Sequence, residues 1–168
     1  LEDLQKILKE NNFEVEVFPK EGILRLGEKS LSFESAQSTP NDDYLTNLGK
    51  LASALNRILP CYVRNQVKLD LATANLGTPE WCSPIDPMNY QCKEEYTGKL
   101  ETIMIEGHTD AIPINAQAGF KDNLALSAAR ATNILRLMKR CDPGLDRFNN
   151  HRSQPLFAAS GYSFLRPL

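Results

Sequence analysis

The sequence predicts a two-layer α/β domain in which a mixed β-sheet is covered on one face by two long helices. Three observations carry that expectation. An apolar strand, Leu100 to Glu106, gives way within one residue to the polar run Gly107-His108-Thr109-Asp110. An Ala- and Leu-rich segment from Asn123 to Arg140 then repeats with helical period. An earlier segment, Asn41 to Leu59, does the same, and short strand-like runs stand towards both ends of the chain.

The chain has 168 residues, 42% hydrophobic and 24% charged, which suits one soluble domain with its own core. A net charge of -2 without a clustered basic run argues against a nucleic-acid partner. The longest apolar runs are too short to span a bilayer. The chain opens at Leu1 without a leader or lipidation pattern, so any membrane anchor is expected outside it.

In chain order, residues 1–12 read as a linker helix. Leu1, Leu4, Ile7 and Leu8 form an apolar stripe that either meets a second copy or packs on the domain. Phe13, Val15 and Val17 alternate with Glu14 and Glu16, the pattern of a half-buried strand. A turn at Pro19 to Gly22 leads to Ile23, Leu24 and Leu26, and Leu31 with Phe33 suggests a further short strand, Phe33 being assigned to the core. Pro40-Asn41-Asp42-Asp43 starts the first long helix, with acids favourably placed in its first turn. Tyr44, Leu48, Leu51, Leu55 and Ile58 are its apolar face, and Pro60 ends it.

Ile103 and Ile105 fall on one face of the next strand and Met104 on the other, so this strand reads as buried on both sides. Asn123 is the expected N-cap of the second long helix. Leu124, Ala128, Ala131, Leu135 and Met138 form the stripe assigned to the sheet, with Asn123, Ser127, Arg130 and Ile134 beside it. Leu156 to Ala159 is the last strand. An acid at a strand tip, Asp110, and a cation at the rim of the core, Arg130, make a receptor for a zwitterion. Asp110 would take an ammonium and Arg130 a carboxylate through its two-pronged fork. Spacing alone leaves open that the two pair with each other or face water.

Gly107-His108-Thr109-Asp110 followed by Phe120, Asn123, Leu126, Ser127, Arg130, Ala131 and Ile134 resembles the OmpA-like peptidoglycan-binding domain, and most its MotB-like stator subset (flagellar MotB or Zorya-type ZorB). Agreement at about ten positions over roughly thirty residues is far more than a lone short pattern supplies. The resemblance implies an OmpA-like domain over residues 13–168 and a ligand-binding set of Asp110, Arg130, Thr109, Asn123 and Leu126. That set would hold the diaminopimelate of the peptidoglycan stem peptide non-covalently. It further implies a periplasmic setting, a homodimer, and a membrane anchor or stator partner outside the chain. No cofactor and no reaction are implied. The pattern breaks at Gly161-Tyr162-Ser163-Phe164, where the family often has Gly-x-Gly and an acid.

Residues 65–99 depart from the family as an irregular insertion, with Val67, Leu69 and Leu71 as a small strand. Trp81, Tyr90 and Tyr96 would there stack on sugars or fill a miniature core. An alternative to cell-wall binding is that this insertion makes the domain a protein-binding module. The periplasmic resemblance favours disulfides among Cys61, Cys82, Cys92 and Cys141. Of the three possible pairings we expect Cys82 with Cys92 and Cys61 with Cys141, the latter two following the two long helices. An enzyme reading would use His108, Asp110 and Ser127 as a hydrolytic set, or His108 and Asp110 as metal ligands. The first places its nucleophile within a helix and the second lacks a third ligand.

Overall fold

Helix α1 (Glu2–Glu10) buries Leu4, Ile7 and Leu8. Its end is set by Asn12, which takes the left-handed conformation (φ 56°). Asn12 N–H donates to the Lys9 carbonyl (3.1 Å) and Phe13 N–H to the Leu8 carbonyl (2.9 Å), the paired bonds that close a helix and reverse the chain. Asparagine tolerates this conformation where most side chains resist it. Leu8 and Phe13 both enter the core. α1 packs on helix α2 (Leu45–Ile58), which covers Leu4, Ile7 and Leu8 within the domain, while Leu1 of the same stripe is 40% exposed.

The computed structural model describes residues 1–27, 29–63, 78–82, 98–114 and 119–165. Strands β1 (Glu16–Phe18) and β2 (Ile23–Arg25) form an antiparallel hairpin with Glu16 opposite Arg25. The expected alternation is present: Phe13 is buried, Val15 and Val17 are half-buried, and Glu14 and Glu16 face solvent. No strand forms at Leu31 and Phe33. The backbone there bonds elsewhere, since the Ser32 carbonyl accepts from Asn41 N–H, and the Glu34 and Gln37 carbonyls accept from Arg130.

α2 is entered through a 3-10 turn at Asp42–Tyr44 and left through another at Leu59–Cys61 that contains Pro60. Proline lacks the N–H that would continue the α ladder. Leu48, Leu51, Leu55 and Ile58 are buried as their spacing predicts. Strand β3 (Ile103–Gly107) and strand β4 (Phe157–Gly161) are joined through helix α3 (Asn123–Cys141) and pair in parallel, Ile105 opposite Ala159 and Gly107 opposite Gly161. α3 lies directly on both strands, and α2 packs on α3. The result is a mixed α/β fold with small sheets. Among the described residues these are two separate two-stranded sheets.

Two expectations about β3 and α3 need correction. Met104 is 46% exposed and Glu106 faces solvent, so β3 is covered on one face only. The buried face of α3 is Asn123, Leu126, Ser127, Ala131, Ile134 and Met138, whereas Leu124 is 48% exposed. The helix is thus rotated towards what was read as its flanking stripe. Gly107 and Gly161 explain the rotation, because a Cβ at Gly107 would lie 2.0 Å from the Ser127 carbonyl oxygen and one at Gly161 2.3 Å from the Ala128 nitrogen. Two glycines side by side let the polar start of α3 approach the strands more closely than apolar side chains would allow.

The cysteine pairing is also corrected. Cys141, the last residue of α3, bonds to Cys82 across 59 residues. This excludes both expected pairs. The ends of α2 and α3 do meet, through a 3.0 Å bond from Asn56 to Asp142, but the 78–82 segment reaches the same place and takes Cys141. Cys61 is disulfide-bonded as well, and Cys92 lies outside the described residues. So do the expected strand at Val67, Leu69 and Leu71, and Tyr90 and Tyr96; Trp81 is half-buried. No described helix is long and apolar enough to cross a membrane.

Candidate binding site at the start of the third helix

Beyond Gly107 the chain keeps to the parallel pairing. Tyr162 N–H donates to the Gly107 carbonyl (2.9 Å) and Thr109 N–H to the Ser163 carbonyl (3.2 Å), which fixes the Gly-His-Thr-Asp run as an extension of β3. The ring of His108 stacks on Tyr162 at 5.8 Å between centroids, and its Nε2 is 3.8 Å from Glu106. Ser163 sits at φ 55°, so where the family resemblance breaks, a serine holds the left-handed backbone that glycine adopts freely.

Ser127 ties this loop to the helix. Its hydroxyl donates to the Leu124 carbonyl (2.9 Å) and accepts from Ser163 N–H (3.0 Å), and the side chain is fully buried. That commitment leaves the hydrolytic set of His108, Asp110 and Ser127 without a nucleophile. Asp122, not Asn123, is the N-cap: its carboxylate accepts from Ala125 N–H at 2.8 Å. Asn123 instead turns its amide back, donating to the carbonyls of Asp110 (3.2 Å) and Ile112 (2.9 Å). It thereby clamps the turn that carries Asp110 against the first turn of α3.

Asp110 itself is exposed, with one carboxylate oxygen accepting from Ile112 N–H at 3.1 Å. Arg130 is half-buried. Its Nε donates to the Gln37 carbonyl (2.9 Å), one terminal nitrogen donates to the Glu34 carbonyl (3.2 Å), and the guanidinium lies 4.6 Å from the centre of the Phe33 ring. Partial burial pulls the Arg130 pKa down and the charge of Asp110 pushes it back up. An arginine so shifted is still a cation at any physiological pH. Of the alternatives left open by their spacing, direct pairing is absent, since Asp110 and Arg130 form no ion pair, while Asp110 does face water.

Two further polar atoms here are buried without a hydrogen-bond partner: Thr109 Oγ1 and Asn123 Oδ1. Unsatisfied buried polar atoms are uncommon and ask for a reason. Beside them a cleft of about 360 Å³ opens between Pro113, Asn123, Leu124 and Phe164. Ile112, Leu124, Phe164 and Leu165 leave apolar surface around it exposed. Of the expected site residues, Asn123 lines this cleft and its amide binds the Asp110 carbonyl, Thr109 directly precedes Asp110, and Arg130 stands two turns further along α3 against residues 33–37. Leu126 is 2% exposed and lies beneath it, in the interior.

Sequence reasoning missed the parts that act through backbone or through approach. Nothing in the side chains of Glu34 and Gln37 marks their carbonyls as holders of Arg130. Phe33 was legible as apolar but not as a platform for a cation. The glycines at 107 and 161, each ending a strand-like run, were the available signal for close helix contact. Comparison with known proteins finds no family model and no curated protein that matches this chain.

Proposed function

We propose that this domain binds peptidoglycan non-covalently, through the ammonium and carboxylate of diaminopimelate in the stem peptide, and so ties a membrane-anchored protein to the cell wall. The observation that carries the reading is a pair of opposite charges that do not bond to each other. Asp110 stands exposed at the strand tip, Arg130 is fixed by the Gln37 and Glu34 carbonyls and the Phe33 ring, and the two form no ion pair with each other. A carboxylate and a guanidinium held apart on fixed supports match a ligand with an ammonium and a carboxylate on one carbon. Asn123 and Thr109 supply unpaired polar atoms at the same corner, and the apolar cleft offers surface to the neighbouring part of a peptide. On this reading the finer architecture is an OmpA-like sandwich and the setting is periplasmic.

Asp110→Asn is the cleanest test. The amide keeps an oxygen for the Ile112 N–H and removes only the charge. Parent protein should sediment with insoluble peptidoglycan, and the variant should bind roughly ten- to a hundredfold more weakly, the worth of a charge-assisted bond at about 1.5 to 3 kcal/mol. Equal sedimentation of the two would overturn the proposal. Arg130→Ala is a poorer probe, because it also frees the 33–38 loop from its two hydrogen bonds and its ring contact. Arg130→Lys keeps the charge and part of the stem, and should bind less well than the parent because a point charge cannot reproduce the planar fork.

A further inference from the structure

A second cleft, of about 210 Å³, lies further along α3 between Thr39, Asn133, Arg136, Leu137 and Arg140. Arg136 and Arg140 are one helical turn apart, so like charges face each other at an interval that destabilises a helix. A basic residue in the last turn is favoured by the helix dipole, which accounts for Arg140. It does not account for Arg136, which stands a turn earlier. Neither arginine has a carboxylate partner among the described residues, whereas the adjacent Lys139 is paired with Asp146.

The facing wall is fixed. Asn133 Nδ2 donates to both the carbonyl (3.1 Å) and the hydroxyl (3.0 Å) of Ser38, and Arg130 holds the loop just before it through the Gln37 and Glu34 carbonyls. Pro40 is buried directly after Thr39. The 38–40 segment is thus held against the helix before any ligand arrives, which lowers the ordering cost of binding.

We propose that this cleft is a separate anion site for a phosphate group. Arg136 and Arg140 stand about 6 Å apart along the helix axis at the backbone, and two guanidinium forks lining one cleft need an acceptor with oxygens directed at both. A carboxylate presents two oxygens and is satisfied by one fork. A phosphate presents at least three and has enough for both arginines and the Thr39 hydroxyl. The phosphate belongs either to a soluble ligand or to a lipid headgroup. The site shares no lining residue with the cleft at the start of α3, and Asp110 takes no part in it, so Asp110 variants test the two sites separately.

Calorimetric titration of the intact domain with inorganic phosphate and with pyrophosphate at low salt tests the proposal. Both probes should bind, pyrophosphate more tightly, and Arg136→Ala with Arg140→Ala should weaken them at least tenfold while circular dichroism stays unchanged. Arg136→Lys with Arg140→Lys should fall between parent and alanine variant. Asp110→Asn should bind phosphate as the parent does. Flotation with phosphatidylglycerol vesicles, against phosphatidylcholine vesicles, separates the sources. Arginine-dependent capture by the anionic vesicles marks a lipid headgroup, and phosphate binding without capture marks a soluble ligand. Absence of binding to phosphate, pyrophosphate and anionic vesicles alike, or binding that the double alanine variant retains in full, would overturn the assignment.

Discussion

The two ends of α3 are held by different kinds of contact. Near its C-terminal end Asp142, Lys139 and Cys141 have partners, while Arg136 and Arg140 have no carboxylate partner among the described residues. Asp142 accepts from Gly144 N–H and from Asn56 Nδ2, both at 3.0 Å, Lys139 pairs with Asp146, and Cys141 is bonded to Cys82. At its N-terminal end the supports are equally well made, through Ser127, Asp122 and the amide nitrogen of Asn123. Yet two buried polar atoms, Thr109 Oγ1 and Asn123 Oδ1, have no hydrogen-bond partner there, and Asp110 and Arg130 form no ion pair with each other. On the function proposed above, the C-terminal end holds the fold and the N-terminal end is organised for a ligand.

The largest expected effect comes from the close helix contact on which the N-terminal end depends. Gly107→Ala places a Cβ against helix backbone that cannot move independently, and Gly161→Ala does the same one strand away. Each should cost about 3 kcal/mol or more in urea unfolding, in the range of severe overpacking. A cost below about 1 kcal/mol would mean that α3 can lift from the strands, and the geometry of the site would then not be fixed by the glycines.

At the other end, Cys82→Ser with Cys141→Ser opens a 59-residue loop. Chain entropy sets an upper value of about 4 kcal/mol for its loss. Thermal unfolding should show it, while binding to peptidoglycan by the folded variant should be unchanged. A loss of binding in protein that remains folded would join the two ends and break the comparison.

Asp142 gives a smaller and pH-dependent effect. Burial pushes its carboxyl above the ordinary value, against the opposing pull of the Gly144 N–H, Asn56 and the charges of Arg147 and Arg57. A carboxyl raised in the folded state binds its proton more tightly there. Its penalty is absent below the unfolded pKa of about 3.9 and grows until pH has risen through the folded value. Asp142→Asn keeps the same oxygen as acceptor for both donors, so it should match the parent near neutral pH within about 1 kcal/mol. As pH rises from about 4, the parent should lose stability relative to this variant. Asp142→Ala should cost about 1 to 3 kcal/mol by stranding both donors. Urea midpoints at three pH values between 4 and 7 check both. The smallest change is Ser163→Gly, which relieves the left-handed strain at φ 55° and should alter stability by no more than about 1 kcal/mol.

Much of this was readable in advance where one residue type dictates one outcome. Periodicity gave α2 with its buried leucines, placed β3 and α3, and set the charged residues at the strand tip and helix. It failed where burial is decided by approach and not by apolarity. Ser127 is buried because two glycines face it, and Leu124 is exposed for the same reason. The N-cap was misplaced by one position because Asp122 and Asn123 are both good caps, and only the turn at Asp110 decides which one is released for other work. The Cys82–Cys141 bond was out of reach because pairing depends on where a long irregular segment returns, which no local pattern encodes.

Calorimetric titration with muropeptide fragments that differ only at diaminopimelate tests the central claim most directly. Fragments with the free ammonium and carboxylate should bind the parent, lose roughly ten- to a hundredfold in affinity against Asp110→Asn, and lose binding when that amino acid's end is chemically blocked. Equal affinity for blocked and unblocked fragments would contradict it, and would leave the unmated charges of Asp110 and Arg130 without the ligand proposed for them.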